Sequence, residues 1–192
     1  MVKQPRVGAV KTRLARDIGA VEAWRVYRAM SGNLVRRLAA DRRWRTLLAV
    51  TPDHALDARD WPDGIARIAQ GPGNLGARMQ RLLDRFAPGP AVIVGSDLPA
   101  LSPDRIAAAF RALRRAGIVV GPAGDGGYWL VGARSLRMPR LFENVRWSGP
   151  HALADTLRNV RGIEVAMLDE LEDLDDAAGY RRWRGRLGRL IA

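Results

Sequence analysis

Ala91-Val92-Ile93-Val94, followed at once by Gly95-Ser96-Asp97-Leu98-Pro99, is the stretch on which the fold of this chain turns. Four apolar residues, three of them β-branched, closed by a Gly-Ser-Asp turn, read as a buried strand. On its amino side Leu75, Met79, Leu82, Leu83 and Phe86 recur at helical spacing and predict a helix over Leu75–Phe86. On its carboxyl side Ser102-Pro103-Asp104 is a cap followed by proline at the first helical position, opening a helix that ends near Gly117. Further strands are predicted at Thr46–Val50, Ile65–Ile68, Ile118–Val120, Tyr128–Val131 and Ile163–Leu168, and helices at Ala20–Ala40, Pro150–Arg158 and Ala177–Ile191. This alternation predicts an α/β fold with a mainly parallel sheet and helices on both faces, in one domain spanning 1–192. In such sheets ligands bind beyond the carboxyl ends of the strands, so the segments that follow strands are the places to search for chemistry.

Composition narrows the chemistry. The 192 residues contain no cysteine and only His54 and His151, which excludes thiolate metal sites and disfavours a His-based zinc site or a Ser-His-Asp triad. A metal here is expected to be a hard, oxygen-liganded ion, magnesium or manganese. No apolar run approaches the ~20 residues of a membrane helix and no signal peptide is visible, so a cytoplasmic protein is expected. The net charge of +12 invites a nucleic-acid reading. The arginines are spread along the whole chain, however, as expected of a solvated basic surface, and nucleic acid is not the favoured partner. The 32 basic residues include only two lysines, Lys3 and Lys11, both within Lys3-Gln4-Pro5-Arg6-Val7-Gly8-Ala9-Val10-Lys11-Thr12-Arg13. Lysine is a compact point charge and arginine a planar fork, so a short Pro/Gly loop with Lys, Lys, Thr and Arg suits a phosphorylated ligand. It is neither a Walker A loop nor a dinucleotide fingerprint, because the required glycine spacings are missing.

Four more segments carry polar groups beside predicted strand ends. Gln70-Gly71-Pro72-Gly73-Asn74-Leu75-Gly76-Ala77-Arg78-Met79 combines glycines that admit a ligand to the backbone with an amide suited to a base edge; it also reads as a plain turn with Asn74 as cap. Asp97, at the end of the strongest strand, is placed for a divalent ion beside phosphates. Asp125 stands among four glycines in Gly121-Pro122-Ala123-Gly124-Asp125-Gly126-Gly127-Tyr128. The acidic run Asp169–Asp176 could supply a second metal ligand, for which Asp175 is chosen. Ser148 and His151 stand near a predicted helix start, where serine is a common cap.

In this order the segments resemble the nucleotide-diphospho-sugar transferase (GT-A-like) superfold, and more closely its small bacterial DUF2064, or selenodomain-associated (arsenosugar biosynthesis), glycosyltransferase-like family. The family's opening pattern is matched by Lys3, Pro5, Gly8, Val10, Lys11, Thr12, Arg13 and Leu14. Its Gln-x-x-Gly-Asp-Leu-Gly-x-Arg-Met element is matched with Asn74 in place of Asp, its Gly-Thr-Asp-x-Pro element by Gly95-Ser96-Asp97-Leu98-Pro99, and its Gly-Pro-x-x-Asp-Gly-Gly-Tyr element intact. The closing Asp-x-Asp-Thr-Pro element survives as Asp173-Leu174-Asp175-Asp176-Ala177. More distantly the chain is similar to molybdenum-cofactor and 2-phospholactate guanylyltransferases. The resemblance implies a three-layer sandwich and a metal-dependent transferase, of glycosyl or nucleotidyl type, acting with Mg2+ (or Mn2+) on a nucleotide sugar or nucleoside triphosphate and a small-molecule acceptor. It implies catalytic roles for Lys11, Asp97 and Asp125. It implies nucleotide contacts at Lys3, Pro5, Gly8, Lys11, Thr12, Arg13, Gln70, Gly73, Gly76, Arg78 and Ser96, and metal ligation by Asp97 and Asp175. Two other classes compete: a nucleic-acid-binding basic protein, motivated by charge and by the Arg181–Arg189 helix with Trp183, and a catalytically idle, partner-binding relative.

Relatives with this pattern carry an apolar strand before the first lysine, whereas only Met1 and Val2 precede Lys3. The first strand is therefore expected to be truncated, leaving neighbouring ladder groups unpaired.

Overall fold

The computed structural model describes residues 1–134 and 140–191, with the backbone alone for 186–191. The helix expected over Ala177–Ile191 lies inside the described residues, and its side chains after 185 lie outside them. In chain order the elements are β1 (Val2–Lys3), α1 (Thr12–Ile18), α2 (Ala20–Ala39), β2 (Leu48–Thr51), β3 (Arg67–Ala69), α3 (Leu75–Phe86), β4 (Ala91–Val94), α4 (Pro103–Ala112), β5 (Ile118–Pro122), β6 (Tyr128–Ala133), α5 (Ala152–Asn159), β7 (Val165–Met167) and α6 (Ala177–Ile191). Helix α3 and strand β4 coincide with the sequence expectation residue for residue. Asn74 caps α3 by accepting from Ala77 N at 2.9 Å, as a short polar side chain at a helix start should.

The strands form a three-stranded sheet, β1-β2-β3, and a four-stranded sheet, β4-β6-β5-β7. The first is parallel throughout, and β5 pairs β7 in parallel. Strand β6 runs antiparallel to both β4 and β5, an inversion that apolar spacing cannot signal. Strand β5 separates the two main cores by simple alternation. Val119 packs with Leu34 and Leu38 of α2 and Ile106 and Ala109 of α4. Ile118 and Val120 face Met79 and Leu83 of α3, with Leu153 and Leu157 of α5 on the same side. These are the two helical layers of an α/β sandwich.

Strand β1 is two residues long, paired in parallel with Val50 and Thr51 of β2. The Met1 ammonium bridges the two sheets, donating to Val94 O at 2.6 Å, and burial pulls its pKa down to about 6. Behind Met1 a slot of about 580 Å³ opens between β2 and β4, lined by Ala49, Val92, Leu82, Phe86, Ile106 and Phe110. Strand β4, expected to be fully buried, is consequently half-buried along its length.

Candidate functional site

The site is assembled around the amino end of α1. A turn closed by Ala9 N to Arg6 O at 3.0 Å, with Gly8 at φ 77°, delivers the chain to Lys11, whose own backbone is left-handed at φ 49°. That conformation costs a non-glycine residue roughly 1 kcal/mol or more and persists only where surroundings impose it. Here Lys11 O accepts from Ala15 N at 2.8 Å, and Leu14, fully buried, pins α1 against Ala23, Val26 and Met30 of α2. The same cluster contains Leu174, 1% exposed. Leu174 N donates to Asp97 O at 3.1 Å. One apolar residue thus fastens the Asp173-Leu174-Asp175 segment both to the helix that carries Lys11 and to the turn that carries Asp97.

The result is a cation between carboxylates. Lys11 Nζ lies 2.8 Å from Asp97 Oδ2 and 2.7 Å from Asp175 Oδ1, with 3% of its side chain exposed. Burial opposes the ammonium charge, but the two carboxylates outweigh it and hold Lys11 above its ordinary pKa. Ser96 Oγ donates to Asp97 Oδ1 at 3.1 Å. Tyr27 OH lies 3.3 Å from Ser96 Oγ, donates to Lys3 O at 2.9 Å and accepts from Lys3 N at 3.0 Å. Burial, then the charge of Asp97, pushes the Tyr27 phenol up to about 12. Asp173 completes the cluster. Its Oδ1 is buried without a hydrogen-bond partner, and burial together with the charges of Asp175, Asp125 and Asp97 raises its pKa to about 7.

Apart from Asp175, these groups line a cleft of about 400 Å³ at the carboxyl ends of β1, β2 and β4, where sheets of this kind bind ligands. Of the residues singled out in the sequence, Lys3, Lys11, Thr12, Gln70, Ser96 and Asp97 line it, joined by Asp173 and Tyr27. An apolar recess of about 290 Å³ adjoins it, lined by Leu75, Met79, Tyr128 and Trp147 and reached by Asp125 and Asp173. Arg13, Asp125 and Asp175 line a third, neighbouring cleft of about 300 Å³.

Gln70 and the candidates that line none of these clefts have structural duties. Gln70 is 3% exposed, and its amide nitrogen donates to Val2 O at 3.0 Å and Ala49 O at 2.8 Å, clasping β1 to β2; that amide is engaged with backbone and does not stand open for a base. Gly76 is buried where a Cβ would come within 2.9 Å of Phe142 Cβ and Trp147 Cζ2, so its smallness serves the packing of α3. Pro5 O accepts from Trp24 Nε1 at 2.9 Å. Arg78 Nε donates to Gly73 O at 2.9 Å, and its Nη1 reaches Thr51 Oγ1 at 3.3 Å; this holds the glycine loop on β2. Gly8, Gly73 and Pro5 therefore shape the loops around the cleft without lining it. Sequence reasoning passed over Tyr27 and Asp173. Tyr27 sits on the apolar stripe of α2, and a buried tyrosine must place its hydroxyl on a partner. Asp173 flanks a fully apolar leucine in an acidic run, the pattern of a segment anchored at its centre.

Among the described residues no three His, Cys, Asp or Glu side chains form a ready metal cage. The donor set still suits magnesium, which is commonly held by one or two carboxylates together with substrate phosphates and water. Asp97 Oδ2 and Asp175 Oδ1 converge on one point, where Lys11 now places its ammonium.

The chain is similar to a protein from Desulfovibrio desulfuricans G20, assigned provisionally as a nucleotide-diphospho-sugar transferase: TM-score 0.78 and 28% identity over 91% of this chain and 80% of that one. The fold alone is shared with the Mycobacterium tuberculosis H37Rv protein Rv0371c, at TM-score 0.56 and 17% identity over 95% and 92% of the two chains. The same holds for the homologue of that protein from Mycobacterium sp. strain JC1, at TM-score 0.57 and 18% identity over 84% of each chain. No functionally curated protein matches. Among the described residues no helix is long and apolar enough to cross a membrane. The sequence profile of the family described as "Uncharacterized protein conserved in bacteria (DUF2064)" matches residues 34–149, more than half of the chain, and the chain belongs to that family.

Proposed function

We propose that this protein is a metal-assisted transferase that takes its donor group from a nucleotide sugar. The observation that carries the reading is the Lys11 ammonium held between Asp97 and Asp175 on the floor of a cleft at the strand ends. A buried lysine on a strained backbone beside paired carboxylates serves binding better than stability, because an ion pair taken out of water seldom repays its desolvation. Lys11 and Thr12 meet the donor phosphates. Asp97 and Asp175 would hold a magnesium ion, which would supply positive charge to the departing diphosphate. Lys11 then turns from the carboxylates to the phosphate oxygens and stabilises the same charge. Asp173, whose pKa burial and its acidic neighbours raise to about 7, adds less than a full negative charge beside Asp97 and Asp175 at neutrality. The similarity to the Desulfovibrio protein supports a nucleotide-sugar donor. A nucleoside triphosphate would use the same phosphate grip.

The test is a melting-temperature screen of nucleotide sugars and nucleoside triphosphates with and without magnesium, on the native protein and Asp97→Asn. A ligand at 100 times its Kd adds ~2.7 kcal/mol, or roughly 5–10 °C for a chain of this size. The expected result is a magnesium-dependent rise for at least one nucleotide sugar that disappears in Asp97→Asn. No metal-dependent rise with any member of the panel would overturn the reading.

A further inference from the structure

The cleft beside the nucleotide site has opposite chemistry on its two walls. It holds about 300 Å³ and is lined by Arg13, Asp125, Ser148, Gly149, Pro150 and Asp175. We infer that it binds an anionic, hydroxyl-bearing small molecule, with Arg13 receiving a carboxylate or phosphate and Asp125 and Ser148 receiving a hydroxyl. The inference rests on the transferase reading in one respect: the occupant would be the acceptor.

Arg13 is the first observation. It stands in the first turn of α1, two residues after Lys11, and is exposed, yet its side chain does not enter the cleft of Lys11 and Ser96. Among the described residues it makes no hydrogen bond or ion pair, although two carboxylates line the same cleft. Its position is fixed from below, because the next residue, Leu14, is fully buried. An unpaired guanidinium on a fixed helical turn presents a planar fork, the geometry that grips a carboxylate or phosphate through two parallel hydrogen bonds.

The opposite wall is built with unusual rigidity. Asp125 Oδ1 accepts from Gly127 N at 2.9 Å, which sets the carboxylate and leaves Oδ2 without a hydrogen-bond partner among the described residues. Gly126, at φ 82°, packs so tightly on Pro150 that a Cβ would lie 2.5 Å from its Cα. Gly126 O in turn accepts from Leu153 N at 3.0 Å. The turn bearing Asp125 and the segment bearing Ser148 are therefore one clamped unit. Ser148 has φ 63°, a left-handed backbone that costs a non-glycine residue of order 1 kcal/mol and is found where a side chain must be aimed. The sequence suggested a helix cap for Ser148; in the structure His151 occupies the cap position of α5, and Ser148 faces the cleft.

The two walls together specify the ligand class. An anion placed near Asp125 or Asp175 would be repelled, and a neutral polyol would leave Arg13 unanswered. A molecule with its negative group at one end and a hydroxyl at the other satisfies both walls. The volume is at the lower end for ligand clefts, enough for a small hydroxy acid or sugar phosphate.

The probes are D-glycerate and glycerol 3-phosphate, with glycerol as the uncharged control, followed by saturation-transfer NMR on the native protein and on Arg13→Gln. Arg13 is exposed and unpaired, so the variant is expected to fold, as its melting temperature will report. The two anions are expected to bind, to weaken at least tenfold in Arg13→Gln and to weaken in Asp125→Asn, while glycerol gives no signal. The Kd of the best nucleotide from the magnesium screen should stay within twofold in Arg13→Gln. Absence of binding by both anions, or equal binding by Arg13→Gln, overturns the inference. A tenfold loss of nucleotide affinity in Arg13→Gln also overturns it, because Arg13 would then belong to the donor phosphates. Should no nucleotide bind while the anions bind through Arg13, the donor reading falls and the acid subsite stands.

Discussion

Lys11 and Asp97 are joined across the site, Nζ to Oδ2, at 2.8 Å, with the lysine almost fully buried and the carboxylate about a third open to solvent (3% and 36% exposed). Asp175 is bound to the same ammonium at 2.7 Å. The site thus carries its own cation. A divalent ion entering between the carboxylates must displace Lys11, and a phosphate that draws Lys11 away makes room for the ion. Metal and nucleotide should therefore bind with positive coupling.

Replacing Lys11 by Met separates these effects. Breaking a fully buried ion pair costs about 3–5 kcal/mol; the carboxylates here are partly solvated, so the expected loss is about 1–3 kcal/mol. With the competing ammonium gone, magnesium alone should bind Lys11→Met more tightly, by about tenfold. The nucleotide, having lost a phosphate contact, should bind more weakly. Titration calorimetry with magnesium chloride, then with the nucleotide, reads both signs. Tighter binding of both ligands would show that Lys11 only obstructs the site.

Asp173 gives the site a pH signature. Burial and its acidic neighbours raise its pKa to about 7, against ~3.9 in an unfolded chain. Between those values the folded protein holds a proton that the unfolded chain has released, so stability falls as pH rises through the window, and the penalty is complete above it. Asp173→Asn, neutral throughout, should be more stable than the native protein at pH 8, by up to about 4 kcal/mol, and nearly equal to it at pH 4. Urea denaturation in chelator-containing buffer at the two pH values measures this. A difference that does not change with pH would exclude Asp173 as the titrating group.

The parts of this protein that sequence disclosed are those governed by local rules. Helix α3 and strand β4 follow from apolar period and from turn residues at their ends. Ser96 and Asp97 stood out because polar residues directly after strands project into the crevice of an α/β sheet, and Lys11 because it is one of only two lysines in the chain. What stayed hidden depends on distant partners. A glutamine that reads a base and one that clasps two strands look alike in sequence; only the bonds from Gln70 to Val2 O and Ala49 O separate them. The antiparallel course of β6 is equally silent, since a buried strand is apolar in either direction. Arg13 looked like a companion of Lys11, yet the left-handed backbone at Lys11 and the helical one that begins at Thr12 send the two side chains apart, and Arg13 lines a different cleft.

Gly126 tests the clamp that presents Asp125. Alanine there would meet a disallowed φ and a backbone clash with Pro150 at 2.5 Å, for an expected loss of about 2–4 kcal/mol. Gly124→Ala is the control: its Cβ would meet only the end of the Glu170 side chain, at 3.1 Å, and that can swing away. Thermal melts of the two variants should differ widely. Similar melts would mean that the turn moves freely and does not aim Asp125.

Asp155 holds the segment that forms the far rim of the site. Its side chain is 3% exposed, with Oδ2 accepting from Arg146 N at 3.0 Å and from Arg146 Nε at 2.9 Å, and Oδ1 from Arg146 Nη2 at 2.9 Å and from Arg158 Nη2. The Arg146 hydrogen bonds, above all, keep this carboxyl well below the usual carboxylate range. Its stabilising contribution is then complete above the unfolded pKa of ~3.9 and is lost as pH falls below it, because the unfolded chain takes up a proton that the folded one refuses. Asp155→Asn keeps the shape and removes the charge. It should melt several degrees below the native protein at pH 7, and the gap should narrow steadily between pH 4 and pH 2. A gap of constant size would show that Asp155 acts through shape and hydrogen bonding alone, without linkage to its ionisation.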